Sequence, residues 1–375
     1  MNGPTTEKNL KRTASVISAT SAASQPRKRL RRDEVPIFAR SARQGPLKLS
    51  KNSTTTSIKP SAPTKPPLKR EANMNGNAAP ALPTGPTSLP WEPSITNIIP
   101  YEDLTRRISD WIVGTIDKED VPSGGAVFEI EAKIGEIHDI EEGRRLSLPV
   151  GCETVFLKDR WRRTKFESSM DQAQHKLLNG FLNTCFQNSR QDPGRIPIDY
   201  DHRYESDQFY ELNADGIRAL PPSIKSFLDP RHKPRVRITS ERDTLKPTAR
   251  IIKSRIADIE VFNPASDFDY RISISVESPW DGDNMHLIPL KEHGMERNKD
   301  RVSYRHVGYQ IDLTQVSYPD GSKQQHELEV EISTEQIRLE LANLKAQRQS
   351  NYETLVKGFI DNVRILCRKG TIGGR

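Results

Sequence analysis

The chain has 375 residues with 27 prolines, and aromatic residues make up 6% of it, so part of it lacks the composition of a packed core. Residues 1–90 carry 16 Lys and Arg against 4 Asp and Glu, whereas residues 91–375 carry 41 against 46. The formal net charge of +7 therefore belongs to the first ninety residues, which excludes taking global basicity as a sign that the folded part binds nucleic acid. Cys152, Cys185 and Cys367 have neither metal-ligand spacing nor the pattern of a disulfide framework, as expected in a reducing compartment. No apolar run is long enough to cross a bilayer, and the N-terminus lacks the apolar core of a secretory signal.

In chain order, residues 1–90 form a basic tail rich in Ser, Pro, Thr, Ala and Lys. Such a composition buries too little apolar surface to offset chain entropy, so the tail is expected to be disordered. Its run Arg27-Lys28-Arg29-Leu30-Arg31-Arg32 reads either as a nuclear-import signal or as a tether for a polyanion. A single folded domain is expected over 91–375, beginning near Trp91. Leu104, Ile108, Trp111 and Ile112 approximate one apolar stripe and predict a helix over 101–116. Pro122-Ser123-Gly124-Gly125 reads as a turn. It leads into a strand over 127–135 with Glu129, Glu131 and Lys133 on one face and Phe128, Ile130, Ala132 and Ile134 on the other.

A cationic stretch with Trp161, Arg162, Arg163 and Lys165 leads to a predicted helix over 167–186. Strands then dominate. Arg235-Val236-Arg237-Ile238 alternates, the segment 250–261 contains Lys253 and Arg255, and 271–277 alternates strongly from Arg271 to Glu277. Lys299, Arg301, Ser303 and Arg305 share a parity, as do Asp312 and Thr314. Glu327-Leu328-Glu329-Val330-Glu331-Ile332 forms a second acidic strand. Residues 335–368 read as helix with a break near Ser350.

So many alternating strands, without a Gly-rich cofactor loop or a P-loop, predict a predominantly β (α+β) fold in which helices cover part of an antiparallel sheet or barrel. The polar faces suit either solvent on an open sheet or the lumen of a closed barrel. Unlike charges recurring on strand after strand favour the barrel. Glutamates from two distant strands suit a hard divalent cation, and neighbouring Arg and Lys suit a polyphosphate. Together they suit phosphoryl transfer to water, since no activated Ser or Cys is in evidence.

The ordered set Glu129-x-Glu131-x-Lys133, Arg271-Ile272-Ser273-Ile274-Ser275, Arg301-Val302-Ser303-Tyr304, Ile311-Asp312-Leu313-Thr314-Gln315-Val316 and Glu327-Leu328-Glu329-Val330-Glu331 resembles the triphosphate tunnel metalloenzymes. The similarity is to their fungal branch, the RNA 5′-triphosphatase or β subunit of the mRNA-capping enzyme, and spans roughly 95–370. This resemblance implies an eight-stranded antiparallel triphosphate-tunnel barrel with packed helices. It also implies a polynucleotide 5′-phosphatase that takes the γ-phosphate from triphosphate-ended nascent mRNA, the first step of cap formation.

By the same resemblance, Glu129, Glu131 and Glu331 match ligands of a divalent metal, Mg2+ or Mn2+, and Glu277 matches the group that orients or activates water. Arg237, Lys253, Lys299 and Arg301 match catalytic tunnel cations, with Lys133, Arg235, Arg271, Asp312, Glu327 and Glu329 as phosphate-binding or supporting positions. An additional interior acid remains unplaced in the region of Asp199 and Asp201. The resemblance further implies a nuclear location, a homodimer, and association with a capping guanylyltransferase or RNA polymerase II, although the tail shows no Trp-rich capping-partner peptide. No membrane association is expected. Two other readings stand beside it: a tunnel polyphosphatase or nucleoside triphosphatase, and a non-catalytic RNA-binding or scaffold protein.

Overall fold

The computed structural model describes residues 92–117, 124–157, 163–230 and 232–372. The tail at 1–90, Trp91, the turn residues Pro122 and Ser123, and Trp161 with Arg162 lie outside the described residues. Six helices are present among the described residues: α1 (Asp103–Ile116), α2 (Gln172–Gln191), α3 (Ala214–Ala219), α4 (Pro222–Lys225), α5 (Thr334–Lys345) and α6 (Tyr352–Gly370). The strands are β1 (Val127–Asp139), β2 (Arg144–Arg145), β3 (Thr154–Phe156), β4 (Thr164–Glu167), β5 (Asp199–Leu212) and β6 (Arg235–Glu241). They continue with β7 (Pro247–Phe262), β8 (Asp269–Pro279), β9 (Leu287–Pro289), β10 (Glu296–His306), β11 (Tyr309–Ser317) and β12 (Gln325–Ile332).

Eight of these strands close a barrel. The order β1-β8-β7-β6-β5-β10-β11-β12 returns to β1, and every junction is antiparallel. Closure leaves no free edge among the eight and gives each strand one inward and one outward face. A register shift between Arg255 and Ala257 bulges β7, so that Arg255 and Asp258, three residues apart, oppose Ser275 and Ser273 on the same face of β8.

The apolar core lies outside the barrel wall. Ile130, Ala132 and Ile134 of β1 join Ile272, Ile274 and Val276 of β8 and Leu328, Val330 and Ile332 of β12 in one buried cluster. Ile108 and Ile112 of α1, and Val356, Phe359, Ile360 and Val363 of α6, cover these residues in the same cluster. Their spacing gives each helix one apolar stripe to set against the wall. Tyr352 Oη donates to the Ser109 carbonyl at 2.8 Å, tying α6 to α1.

The sequence placed a helix over 167–186, but α2 runs Gln172–Gln191. Thr164–Glu167 instead pairs with β1, opposite residues 136–139, and Asp171 with Gln174 closes a reciprocal capping box that starts the helix. The break near Ser350 is observed: α5 ends at Lys345, α6 starts at Tyr352, and Ser350 Oγ donates to the Glu340 carbonyl at 2.7 Å.

Two stability predictions follow from this packing. A Cβ at Gly135 would lie 2.0 Å from the Glu167 carbonyl oxygen, so the β1–β4 approach requires glycine. Gly135→Ala should cost about 3 kcal/mol in urea unfolding. His175 of α2 lies 4.6 Å, ring centroid to centroid, from His326 of β12. Burial, then the His326 charge, lowers its pKa from 6.5 to about 4. A histidine kept neutral by the fold contributes stability that is complete above its unfolded pKa and is lost as pH falls toward the folded value. Between pH 6.5 and 4, the parent should lose stability more steeply than His175→Gln, by about 1 kcal/mol per pH unit. Equal slopes in pH-resolved denaturant titrations would remove this role.

Candidate active site

The inward faces of β1, β6, β7, β8, β10, β11 and β12 gather charge around a cavity of about 600 Å³. It is lined by Glu129, Glu131, Lys133, Arg237, Lys253, Glu277, Arg301, Glu327, Glu329 and Glu331, among others. The register explains the gathering. Glu131 faces Glu331 and Lys133 faces Glu329 across β1–β12, while Lys253 faces Glu277 across β7–β8.

Two ion clusters occupy the lumen. In the first, Lys253 Nζ contacts Glu129 directly, lies 3.3 Å from Glu131 Oε2 and 3.7 Å from Glu277 Oε1, and Arg237 approaches Glu277 at 3.5 Å. Burial opposes the charge on Lys253, but Glu131 and Glu129 outweigh it and raise its pKa. In the second, Arg301 bonds Asp312 at 2.9 Å and lies 3.8 Å from Glu329, which Lys133 also contacts. Burial opposes ionisation of Glu329, yet Lys133 and Arg301 hold its carboxyl well below the usual range.

The acids nonetheless outnumber the cations beside them. Burial, followed by Asp312, Glu129 and Glu329, pushes Glu331 up to about 8. Burial, together with Glu131 and Glu277 and against Lys253, pushes Glu129 up to about 7. Carboxyl oxygens of Asp312, Glu329 and Glu331 lie within 4.8 Å of one another, and Glu131 Oε1 is buried without a hydrogen-bond partner. Crowded, hard oxygen donors with an unsatisfied buried atom fit a divalent cation. Lys133 and Arg301 engage Glu329 and Asp312, and Lys253 engages Glu129 and Glu131, so among the described residues Glu331 is the acid of this group with no ion pair.

Other predicted positions fall differently. Lys299, 4% exposed, is held by Glu205 at 2.8 Å and Asp207 at 3.0 Å and does not line the cavity. Arg271 faces Lys133 in register but sits over the Phe166 ring at 4.8 Å, while Arg235 is exposed. Asp312 is buried and also accepts from Gln310 at 3.1 Å.

Sequence reasoning missed β5 and the acid it carries inward. Asp201 lies beside Arg203 at 2.6 Å and Arg305 at 3.8 Å, whereas Asp207, six residues on, is wholly buried. It accepts from Thr239 at 2.7 Å and from Arg297 at 3.0 Å. Burial opposes its ionisation, but Lys299, Arg297 and Arg237 keep its pKa lowered. The available signal was the shared parity of Asp201, Arg203, Glu205 and Asp207, and it was masked because the opposite face is also largely polar.

Residues 98–371 match the family described as mRNA capping enzyme, beta chain. The β subunit of the mRNA-capping enzyme of Schizosaccharomyces pombe is 34% identical over 71% of this chain and 81% of that protein. The Candida albicans subunit is 30% identical over 74% of this chain, which spans about half of that longer protein. Among solved structures, the S. pombe Pct1 RNA triphosphatase in complex with the Spt5 CTD superposes with a TM-score of 0.64 at 33% identity, covering 75% of this chain and 99% of that one. With its closed eight-stranded barrel and charged lumen, the chain belongs to the family of mRNA-capping enzyme β chains, the RNA triphosphatases of the triphosphate-tunnel fold.

Proposed function

We infer that this protein hydrolyses the γ-phosphate of triphosphate-ended nascent mRNA, releasing orthophosphate and a diphosphate end ready for capping. The observation that carries the reading is the lumen in which carboxylates from β1 and β12 face each other beside Lys253, Arg237 and Arg301. The tunnel family is metal-dependent, and we assign Glu129, Glu131 and Glu331 as the residues that would hold Mg2+ or Mn2+. A bound divalent cation supplies Lewis-acid polarisation of a phosphoryl oxygen.

The chain's own groups do the rest. Lys253, Arg237, Arg301 and Lys133 place fixed positive charge where the triphosphate develops negative charge. Glu277, between Lys253 and Arg237, orients a water against the γ-phosphorus and takes its proton. The new bond joins the water oxygen to phosphorus, the bridging bond to the β-phosphate breaks, and its electron pair stays on the β-phosphate oxygen. The folded domain at 91–375 carries this chemistry, and the tail at 1–90 serves location or recruitment. A nuclear site of action, homodimerisation, and association with a capping guanylyltransferase, RNA polymerase II or an Spt5 CTD complete the proposal.

Purified protein incubated with terminally labelled triphosphate RNA should release labelled orthophosphate only with divalent metal, while inorganic triphosphate reports the phosphate site alone. Glu129→Gln, Glu131→Gln and Glu331→Gln should each lower metal affinity and slow single-turnover hydrolysis by about a hundredfold or more. Glu277→Gln should slow hydrolysis comparably while keeping metal affinity. Unchanged metal affinity in the first three, with full activity lacking metal, would sink the assignment.

Lys299 tests the boundary between phosphate contact and support. Its ion pairs with Glu205 and buried Asp207 assign it to support. Removing one partner of such a buried pair costs about 3–5 kcal/mol. Lys299→Ala should therefore unfold at markedly lower denaturant, and Lys299→Arg should recover part of the loss. Parent-like stability with a raised KM for triphosphate would return Lys299 to the phosphate.

A further inference from the structure

The lumen accounts for a triphosphate but not for the nucleotides behind it. At one end of the barrel, Arg305 lines the cavity and pairs in register with Asp199, the first residue of β5. From that rim the outward positions of β5 are Tyr200, His202 and Tyr204. Alternate strand positions lie about 6.8 Å apart. Tyr200 is 42% exposed and Tyr204 44%, although large aromatics on a barrel wall are ordinarily covered.

The row is held rather than loose. Tyr200 packs edge-on against buried Tyr304 at 5.4 Å and lies 5.6 Å from Phe186, on whose ring Arg190 sits at 4.7 Å. Tyr204 lies 4.7 Å from His202, whose Nε2 is 2.7 Å from Asp300. The Arg242 backbone N–H donates to the Tyr204 carbonyl at 3.0 Å, bringing the β6–β7 turn and its cation alongside. Two of the acids beside the row are engaged, Asp201 by Arg203 and Arg305 and Asp300 by His202, while Asp199 stands exposed at the rim opposite Arg305.

Aromatic rings on a sheet surface, flanked by arginines, take single-stranded RNA by stacking on bases and contacting phosphates. Stacking tolerates any base, as a substrate of unrestricted sequence requires. Resting on the RNA reading above, we propose that the outer face of β5, through Tyr200, His202 and Tyr204, stacks the bases that follow the triphosphate as the RNA leaves the lumen over the Asp199–Arg305 rim. The row binds substrate without touching the reacting atoms.

The test compares full-length parent, Tyr204→Ala, Tyr200→Ala with Tyr204→Ala, and Tyr204→Phe on a triphosphate-ended RNA oligonucleotide and on inorganic triphosphate. The double variant should raise KM for RNA about tenfold, with Tyr204→Ala intermediate, Tyr204→Phe near the parent, and both constants for inorganic triphosphate unchanged. Tyr204 packs on the surface alone, so its single variant keeps the test alive if loss of Tyr200 disturbs folding. Parent-like RNA constants in folded variants would overturn the proposal and give the row to a protein partner. Equal losses on both substrates would overturn it in favour of a structural role. A parent that cleaves inorganic triphosphate but not RNA would overturn the RNA reading itself, and this proposal with it.

Discussion

The barrel depends on a charged lumen that compensates itself across strand junctions. An isolated buried charge costs several kcal/mol, and pairing offsets this only where geometry is good. Here every pair spans strands that need not be neighbours in sequence. Lys133 meets Glu329 across β1–β12, Lys253 reaches carboxylates on β1 and β8, and Lys299 reaches Glu205 and Asp207 across β5–β10. Opening the barrel at any of these junctions would strand a charge, so lumen and closure stabilise each other. The outer wall supplies the net apolar driving force through α1 and α6, which frees the inner wall to be polar.

How much of this was legible in the sequence depended on contrast between the two faces of a strand. β1, β8 and β12 alternate charged or hydroxyl groups with aliphatic residues, so strand, parity and polar face were all readable. β5 was not, because Tyr200, His202 and Tyr204 face outward where an aliphatic row would have marked the core side. The inward acid Asp207 went unnoticed for that reason. The start of α2 was misplaced because 164–167 carries mixed charge, and its pairing with β1 is a tertiary choice rather than a local propensity.

Role was harder to read than place. Lys299 and Arg301 share a strand face and a cationic side chain, which is all that sequence displays. The structure separates them by their partners: Lys299 is enclosed by two β5 acids away from the cavity, whereas Arg301 lines it. Arg271 likewise keeps the inward parity, yet packs on Phe166 of β4. Such differences arise from which strand barrel closure brings alongside, and no spacing within one strand encodes that.

The same partner list shows why cation and phosphate should act together. Lys253 is the main neutralising group for Glu129 and Glu131, and its charge is largely consumed in doing so. Once those carboxylates are neutralised from another source, Lys253 becomes available to a phosphoryl oxygen, with Arg237 beside it. A phosphate that engages Lys253 correspondingly leaves Glu129 and Glu131 more strongly under-compensated, which under the proposed assignment increases their attraction for a divalent cation. The two ligands thus favour each other through an exchange of existing ion pairs, with no change of fold required, and by linkage the coupling is equal in both directions.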